Sequence, residues 1–288
     1  DANMDFDLTD RQVYWRDRVR DFIDRKVRPA VPTYDKQDKA GDRWKVIQIV
    51  EDLKAEAKDA GIWNLFMPPR SGAHHHVDET FEFEGPGLTN LEYALCAEEM
   101  GRVGFASEVF NCSAPDTGNM EVFHRYGTRA QKEKYLGRLM NGQIRSAFLM
   151  TEPAVASSDA TNIETRIERD GDDYVINGTK WWSSGLGDPR CKVAIVMGKT
   201  DTGAQKHQQQ SQIIVPMDAK GIERQKIDKL GMRLSDTAQL FFDNVRVPKR
   251  NLIGIEGTGF MMQMLQFQEE RLYGAANSLL MMDRLIDL

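Results

Sequence analysis

The sequence predicts an α+β chain of several domains. Three observations carry this: helix-start signals crowd the first half, short β-type runs begin near residue 147, and helical spacing returns after Gly259. The boundaries drawn from them are 1–146 for an N-terminal all-α domain, 147–256 for a β domain and 257–288 for the first helix of a third unit. The chain has 288 residues, which accommodates more than one domain at roughly 100 to 200 residues each. With 41% hydrophobic and 28% charged residues, it is an ordinary folded protein rather than a collagen-like, disordered or membrane-spanning one. The net charge of −6 argues against a nucleic-acid partner, which needs clustered Lys and Arg. No apolar stretch approaches the ~20 residues of a membrane span.

The helical half is punctuated by capping boxes. Thr9 with Gln12, Thr89 with Glu92, and Thr128 with Gln131 each satisfy free backbone donors at a helix start. Behind the first, Trp15, Val19, Phe22, Ile23 and Val27 share one helical face, and Pro29 is read as its end. Val46, Ile47, Val50, Leu53 and Ala57 form a second stripe closed by Gly61, and Leu91 and Leu95 lie on a third helix. Residues 70–88 read as a loop. It carries His74, His75 and His76, whose side chains diverge and have no Cys or carboxylate partner at metal-site spacing, so no metal is assigned.

The β-type runs are 147–150, 174–176, 193–197, 212–215 and 240–247. Asn177-Gly178 between YVI and TKWW reads as a hairpin turn, and the polar stretch from Thr200 as the tip of another, so the sheet is expected to be antiparallel. GIEGTG at 254–259 lacks the spacing and the βαβ context of a dinucleotide fingerprint. After it, Phe260, Met264, Leu265, Leu272, Ala276, Leu279 and Leu280 define the apolar face of a helix that reaches Leu288 without a C-terminal cap, as though further helices should cover it.

Four segments have the composition of a site. FLMTEPAVASSDATNI, from Phe148, sets small residues and hydroxyls after a strand, where a flat or phosphorylated ligand can approach the backbone. In NGTKWWSSG, adjacent tryptophans on a strand point to opposite faces, so that one can be core while the other offers its ring to a ligand, core packing being the default for either alone. LGMRLSDTAQLFFDNVRVP from Leu230 is the third. In FQEERL, Glu269 and Glu270 read either as a solvated helix face or, with Glu270 beside Arg271 on an otherwise apolar helix, as a carboxylate held at a cleft wall. Elbow, Walker and HExxH motifs are absent.

In their order these segments resemble the acyl-CoA dehydrogenase family of flavoenzymes. The matches are LTDRQ, CSAPDTGNMEVFHRYGTRAQKEKYL, MTEP, INGTKWW, and GMRLSDTAQLFFDNVRVPKRNLIG with GTGF, spread over nearly the whole chain. Up to about Glu223 the resemblance is to the very-long-chain and 4-hydroxyacyl branch; the tail is more similar to the isovaleryl and citronellyl types. The resemblance implies an N-terminal helical domain, a middle antiparallel β-barrel or sandwich, and the start of a C-terminal helical bundle that this sequence largely lacks. It implies FAD-dependent α,β-dehydrogenation of an acyl-CoA thioester to a trans-2-enoyl-CoA.

The same resemblance supplies roles. Phe148, Met150 and Thr151 fall beside the flavin ring, and Trp182, Ser183 and Ser184 match its aromatic and hydroxyl contacts. Ser158 matches the hydroxyl near the flavin phosphates and the acyl-CoA, but the loop carries one residue more than the common pattern, leaving that role open between Ser157 and Ser158. Glu270 occupies the position of the α-proton base of the isovaleryl type, and Arg271 matches an arginine at the thioester site that orients it. Implied partners are the acyl-CoA substrate, an electron-transferring flavoprotein as acceptor, and further copies in a homodimer or homotetramer. Two alternatives stand beside this reading: an oxidase passing electrons to oxygen, and an incomplete subunit whose missing helices come from a partner chain. Cys96, Cys112 and Cys191 are odd in number and unpaired in spacing, which reads as buried thiols in a reducing compartment. With no signal peptide at the acidic N-terminus, the expected address is the cytoplasm of a bacterium or the mitochondrial matrix or peroxisome of a eukaryote.

Overall fold

In the computed structural model, described for residues 6–42, 44–67, 85–230 and 236–288, helices pack on one face of a sheet and a long helix crosses both. The helices are α1 (Asp10–Phe22), α2 (Arg28–Lys39), α3 (Gln48–Asp59), α4 (Asn90–Met100), α5 (Ala106–Val109), α6 (Asp116–Tyr126), α7 (Arg129–Gln131), α8 (Gly137–Met140) and α9 (Gly259–Ile286). All three capping boxes form, with each Thr hydroxyl accepting from the N3 backbone and the N3 side chain reaching back. Pro29 does not end the first helix. A π-helical turn, Ile23–Val27, carries the chain directly into α2, with Pro29 in the opening turn of α2 inside one continuous helical run. The histidine run lies outside the described residues, as does the 231–235 part of the third segment.

The strands are β1 (Arg145–Leu149), β2 (Arg166–Asp170), β3 (Asp173–Ser183), β4 (Cys191–Lys199), β5 (Gln210–Pro216), β6 (Ile222–Lys226), β7 (Ala238–Pro248) and β8 (Leu252–Ile253). Among the described residues they form one sheet in the order β6-β7-β3-β2-β4-β5-β8, with β1 beside β4. Most pairs are antiparallel, as the β4–β5 hairpin requires, but β1 and β2 pair parallel with β4. The alternation of β4 splits its side chains: Val193 and Ile195 join the helical core, while Ala194 and Val196 join the sheet's own core with Leu149, Ile176 and Val245.

Asn177-Gly178 is not a turn. β3 continues through it with a register shift against β7, and Gly178 permits a close approach: a Cβ there would stand 2.5 Å from the Thr165 hydroxyl and 2.9 Å from its Cα. Asn177 accepts the Asn244 amide on β7 at 2.8 Å. The hairpin lies earlier, at Gly171-Asp172, with Gly171 at φ 59° and Asp170 opposite Asp173.

The packed face of α9 also differs from the apolar stripe. Met262, Gln263 and Gln266 are buried, whereas Leu272 and Leu279 are exposed. Gln263 is held by the Gln212 amide at 3.1 Å, and the Asn277 amide bonds the Ala97 carbonyl at 3.0 Å, so carboxamides fasten this helix to β5 and α4. The three cysteines are free and buried, and burial pushes the Cys112 and Cys191 thiols up to about 12.

Candidate functional site

The end of β1, the loop that follows and the end of β3 meet in a shelf. The Trp181 amide donates to the Thr151 carbonyl at 3.0 Å. From behind, Lys180 donates to the Met150 carbonyl at 2.8 Å and to Glu152 Oε1 at 2.7 Å. The Glu152 carboxylate also accepts the Glu164 and Thr165 amides at 2.6 and 2.9 Å. Lys180 is fully buried, and burial lowers its ammonium to about 8 in spite of the ion pair; Glu152 feels burial too, but Lys180 and the two amides hold its carboxyl below the usual range. A buried pair with every oxygen engaged is a rigid anchor for the loop.

β3 bulges where it meets this anchor. Its register against β7 breaks between Lys180 and Ser183, and Trp182 adopts φ 52°, an expensive conformation for a bulky residue. The two indoles therefore do not point to opposite faces: their centroids are 5.6 Å apart, with Trp182 49% exposed over the shelf. Ser184 is exposed, while Ser183 is buried and donates to the Trp181 carbonyl at 3.2 Å. In the loop, the Ser157 hydroxyl closes on Glu152, donating to its carbonyl at 3.1 Å and accepting its amide at 3.0 Å. Ser158 is exposed.

α9 walls this corner. Phe260 packs with Phe148, Met150, Ile163 and Met197, and Phe267 meets Phe148 edge-on at 6.3 Å. One turn on, Glu270 presses against α6 at Gly118, where a Cβ would stand 2.2 Å from its Oε1 and 3.2 Å from Gln266 Nε2. Burial raises the proton affinity of the Glu270 carboxyl, with Glu269 adding to it, while the Gln266 hydrogen bond and Arg271 oppose the rise. Arg271 is exposed, its guanidinium 5.6 Å from the Phe267 ring centroid. A further turn along, Tyr273 bonds Ser107 and stacks on Tyr93 at 5.7 Å.

Tyr273, Ser107, Pro115 and Ser184 are among the residues lining a cavity of about 720 Å³ between the helices and the sheet. Its charged wall is a satisfied network: Arg145 bonds Asp116 at 2.5 Å and Glu108 at 2.8 Å, and Arg190 bonds Asp188 at 2.7 Å. Burial would raise Glu108, but Arg145, Lys54 and Arg190 hold it far below the carboxylate range.

Thus Phe148, Met150, Thr151 and Trp182 share the shelf, and Glu270 lies on the helix that covers it. Lys180, Glu152 and Gly118 were missed from sequence. Only Gly118 left a trace there, as an isolated glycine inside a helical segment.

Residues 9–143 match the family model for the acyl-CoA dehydrogenase N-terminal domain and residues 147–245 that for the middle domain. The chain is 44% identical over 281 residues to a probable acyl-CoA dehydrogenase of Mycobacterium tuberculosis, covering 96% of this chain and 65% of the relative. It is 47% identical over 253 residues to mouse acyl-CoA dehydrogenase family member 10, covering 87% of this chain and 23% of that larger protein. A Mycobacterium abscessus structure assigned as an acyl-CoA dehydrogenase superposes with a TM-score of 0.85 at 42% identity, covering 94% of this chain and 67% of that one. The glutaryl-CoA dehydrogenase of Mycobacterium smegmatis, in complex with FADH2, superposes at 0.72 and 26% identity, covering 95% of this chain and 62% of that one. By sequence, domain order and fold, the chain belongs to the acyl-CoA dehydrogenase family.

Proposed function

We propose that the protein carries out FAD-dependent α,β-dehydrogenation of an acyl-CoA thioester, giving the trans-2-enoyl-CoA, with Glu270 as the α-proton base. The observation that carries the reading is the Glu270 carboxyl: half-buried, seated on Gly118, raised in proton affinity, and one turn from the phenylalanine that packs on the shelf.

The shelf fits a flavin ring. An exposed indole held in a strained backbone offers a stacking face, with Thr151 tied by its carbonyl to the adjacent Trp181 amide and Ser184 exposed two residues on. FAD, when bound, supplies the hydride acceptor. Ser158 rather than Ser157 is the hydroxyl for its phosphates and the acyl-CoA, because the Ser157 hydroxyl is committed to Glu152. Glu270 removes the α-proton; the Cα–H electron pair becomes the new double bond as hydride leaves Cβ. Arg271, next along the helix, steadies the carboxylate electrostatically. An electron-transferring flavoprotein is the acceptor that restores the oxidised state.

A weakly acidic α-proton needs a base of raised proton affinity, and the base must be ionised to act. Turnover should therefore rise with pH through the raised Glu270 value. The direct test incubates the FAD-loaded chain with acyl-CoAs of several lengths and an artificial acceptor. Mass spectrometry should find acyl-CoA converted to a product lacking two hydrogens; unchanged acyl-CoA with every chain length would overturn the reading.

Gly118→Ala gives a second test. The added methyl meets the mobile end of Glu270, so stability should hold or gain up to about 1 kcal/mol from helix propensity. Displacing the base by an ångström should nonetheless cost about a hundredfold in turnover. Unchanged kcat in a well-folded variant would argue against the seat on Gly118.

A further inference from the structure

Behind Glu270 lies a second layer of charge. On α6, Gly118, Glu121 and Arg125 follow one another along one face, and that face meets Gln266, Glu269 and Glu270 of α9. Arg125, whose side chain is 5% exposed, donates through Nη2 to both Glu269 oxygens at 3.0 and 2.9 Å. The same nitrogen lies 3.5 Å from Glu121 Oε2. Burial, with Glu269 as hydrogen-bond partner and like charge, pushes the Glu121 carboxyl well up. The charged and titratable groups around Glu270 are therefore Glu269 and Arg271 on α9 and Glu121 and Arg125 on α6. Behind Glu121, Tyr93 of α4 and Cys112 are held neutral by burial.

We propose that Arg125 is the positioning residue for Glu270: its guanidinium clamps the Glu269 turn of α9 onto α6 and offsets the Glu269 charge beside the base. The inference rests on the assignment of Glu270 as the base, but its physical content is a coupling between Arg125 and the Glu270 proton. Without Arg125 the neighbouring carboxylate stands uncompensated, and Glu270 holds its proton more tightly.

The experiment is a carboxyl infrared titration of the FAD-loaded full chain. The Glu270 band is identified by its loss in Glu270→Gln. Arg125→Met should move the Glu270 midpoint up by about one pH unit, and the acid limb of kcat/KM with it, so that below the midpoint kcat/KM falls about tenfold. Adding Glu269→Gln to Arg125→Met should return both. Glu269→Gln alone should move the midpoint down, which keeps the test open if Arg125→Met folds poorly. A midpoint that stays fixed in Arg125→Met and in Glu269→Gln, or a double variant without recovery, overturns the proposal. If Glu270→Gln still turns over at full rate, the base assignment fails, yet the infrared shifts would still report the Arg125 coupling.

Discussion

Replacing Glu270 by Gln is expected to lower turnover by about a thousandfold, within the range contributed by a positioned general base, while FAD binding is retained. Gln keeps the size and hydrogen-bonding capacity of the side chain, so the seat on Gly118 and the contact with Gln266 survive. What disappears is the basic carboxylate that takes the α-proton. Stability moves the other way. A carboxyl whose folded value lies above its unfolded one binds more protons when folded, so its contribution to stability falls as pH rises through that interval. Glu270→Gln should flatten this fall, and urea unfolding across the acidic range checks it. Retained flavin with lost turnover separates a catalytic role from a packing role; equal loss of both would indicate packing.

Lys180→Met is expected to have the largest structural effect, destabilising the chain by about 3 to 5 kcal/mol, the cost of stranding one member of a buried ion pair. Glu152 would keep its two amide donors but lose its counter-charge in a site that is 4% exposed. Because Lys180 also holds the Met150 carbonyl, the loop bearing Thr151 should loosen and FAD affinity fall in parallel. Glu152→Gln in the same chain should recover part of the loss, since the stranded charge is gone. The pH dependence has a definite sign. Glu152 is held below the usual carboxylate value, so the pair contributes stability above the unfolded value that fades as pH falls through the folded one. Lys180→Met should erase that component, as urea midpoints against pH would register.

The parts of the fold legible in sequence were those set by local chemistry. Thr9, Thr89 and Thr128 announced helix starts because a hydroxyl three residues before Gln or Glu solves a local hydrogen-bond problem. The strands in 147–150 and 193–197 were legible from branched and aromatic runs. What failed depended on distant partners. Gly178 serves the approach of Thr165 rather than a turn, and nothing local distinguishes the two uses. The exposure of Leu272 and burial of Gln266 reverse the ordinary pattern because α9 is fastened by carboxamides on β5 and α4. The candidate site divides likewise. Motif order indicated the shelf and Glu270, whereas Lys180 and Glu152, 28 residues apart, have no sequence signature as a pair. That the Ser157 hydroxyl is engaged by Glu152 is a matter of where one hydroxyl points, which spacing does not encode.

The central claim is that a flavin on the shelf and the Glu270 carboxyl act together on an acyl-CoA. Anaerobic rapid mixing of the FAD-loaded chain with acyl-CoA, followed by visible absorbance, tests it most directly. Loss of the oxidised-flavin band is expected in a single turnover, slowed when the substrate is deuterated at either Cα or Cβ, and absent in Glu270→Gln. A flavin that stays oxidised with acyl-CoA bound, or one that bleaches as fast in Glu270→Gln as in the parent, would contradict it.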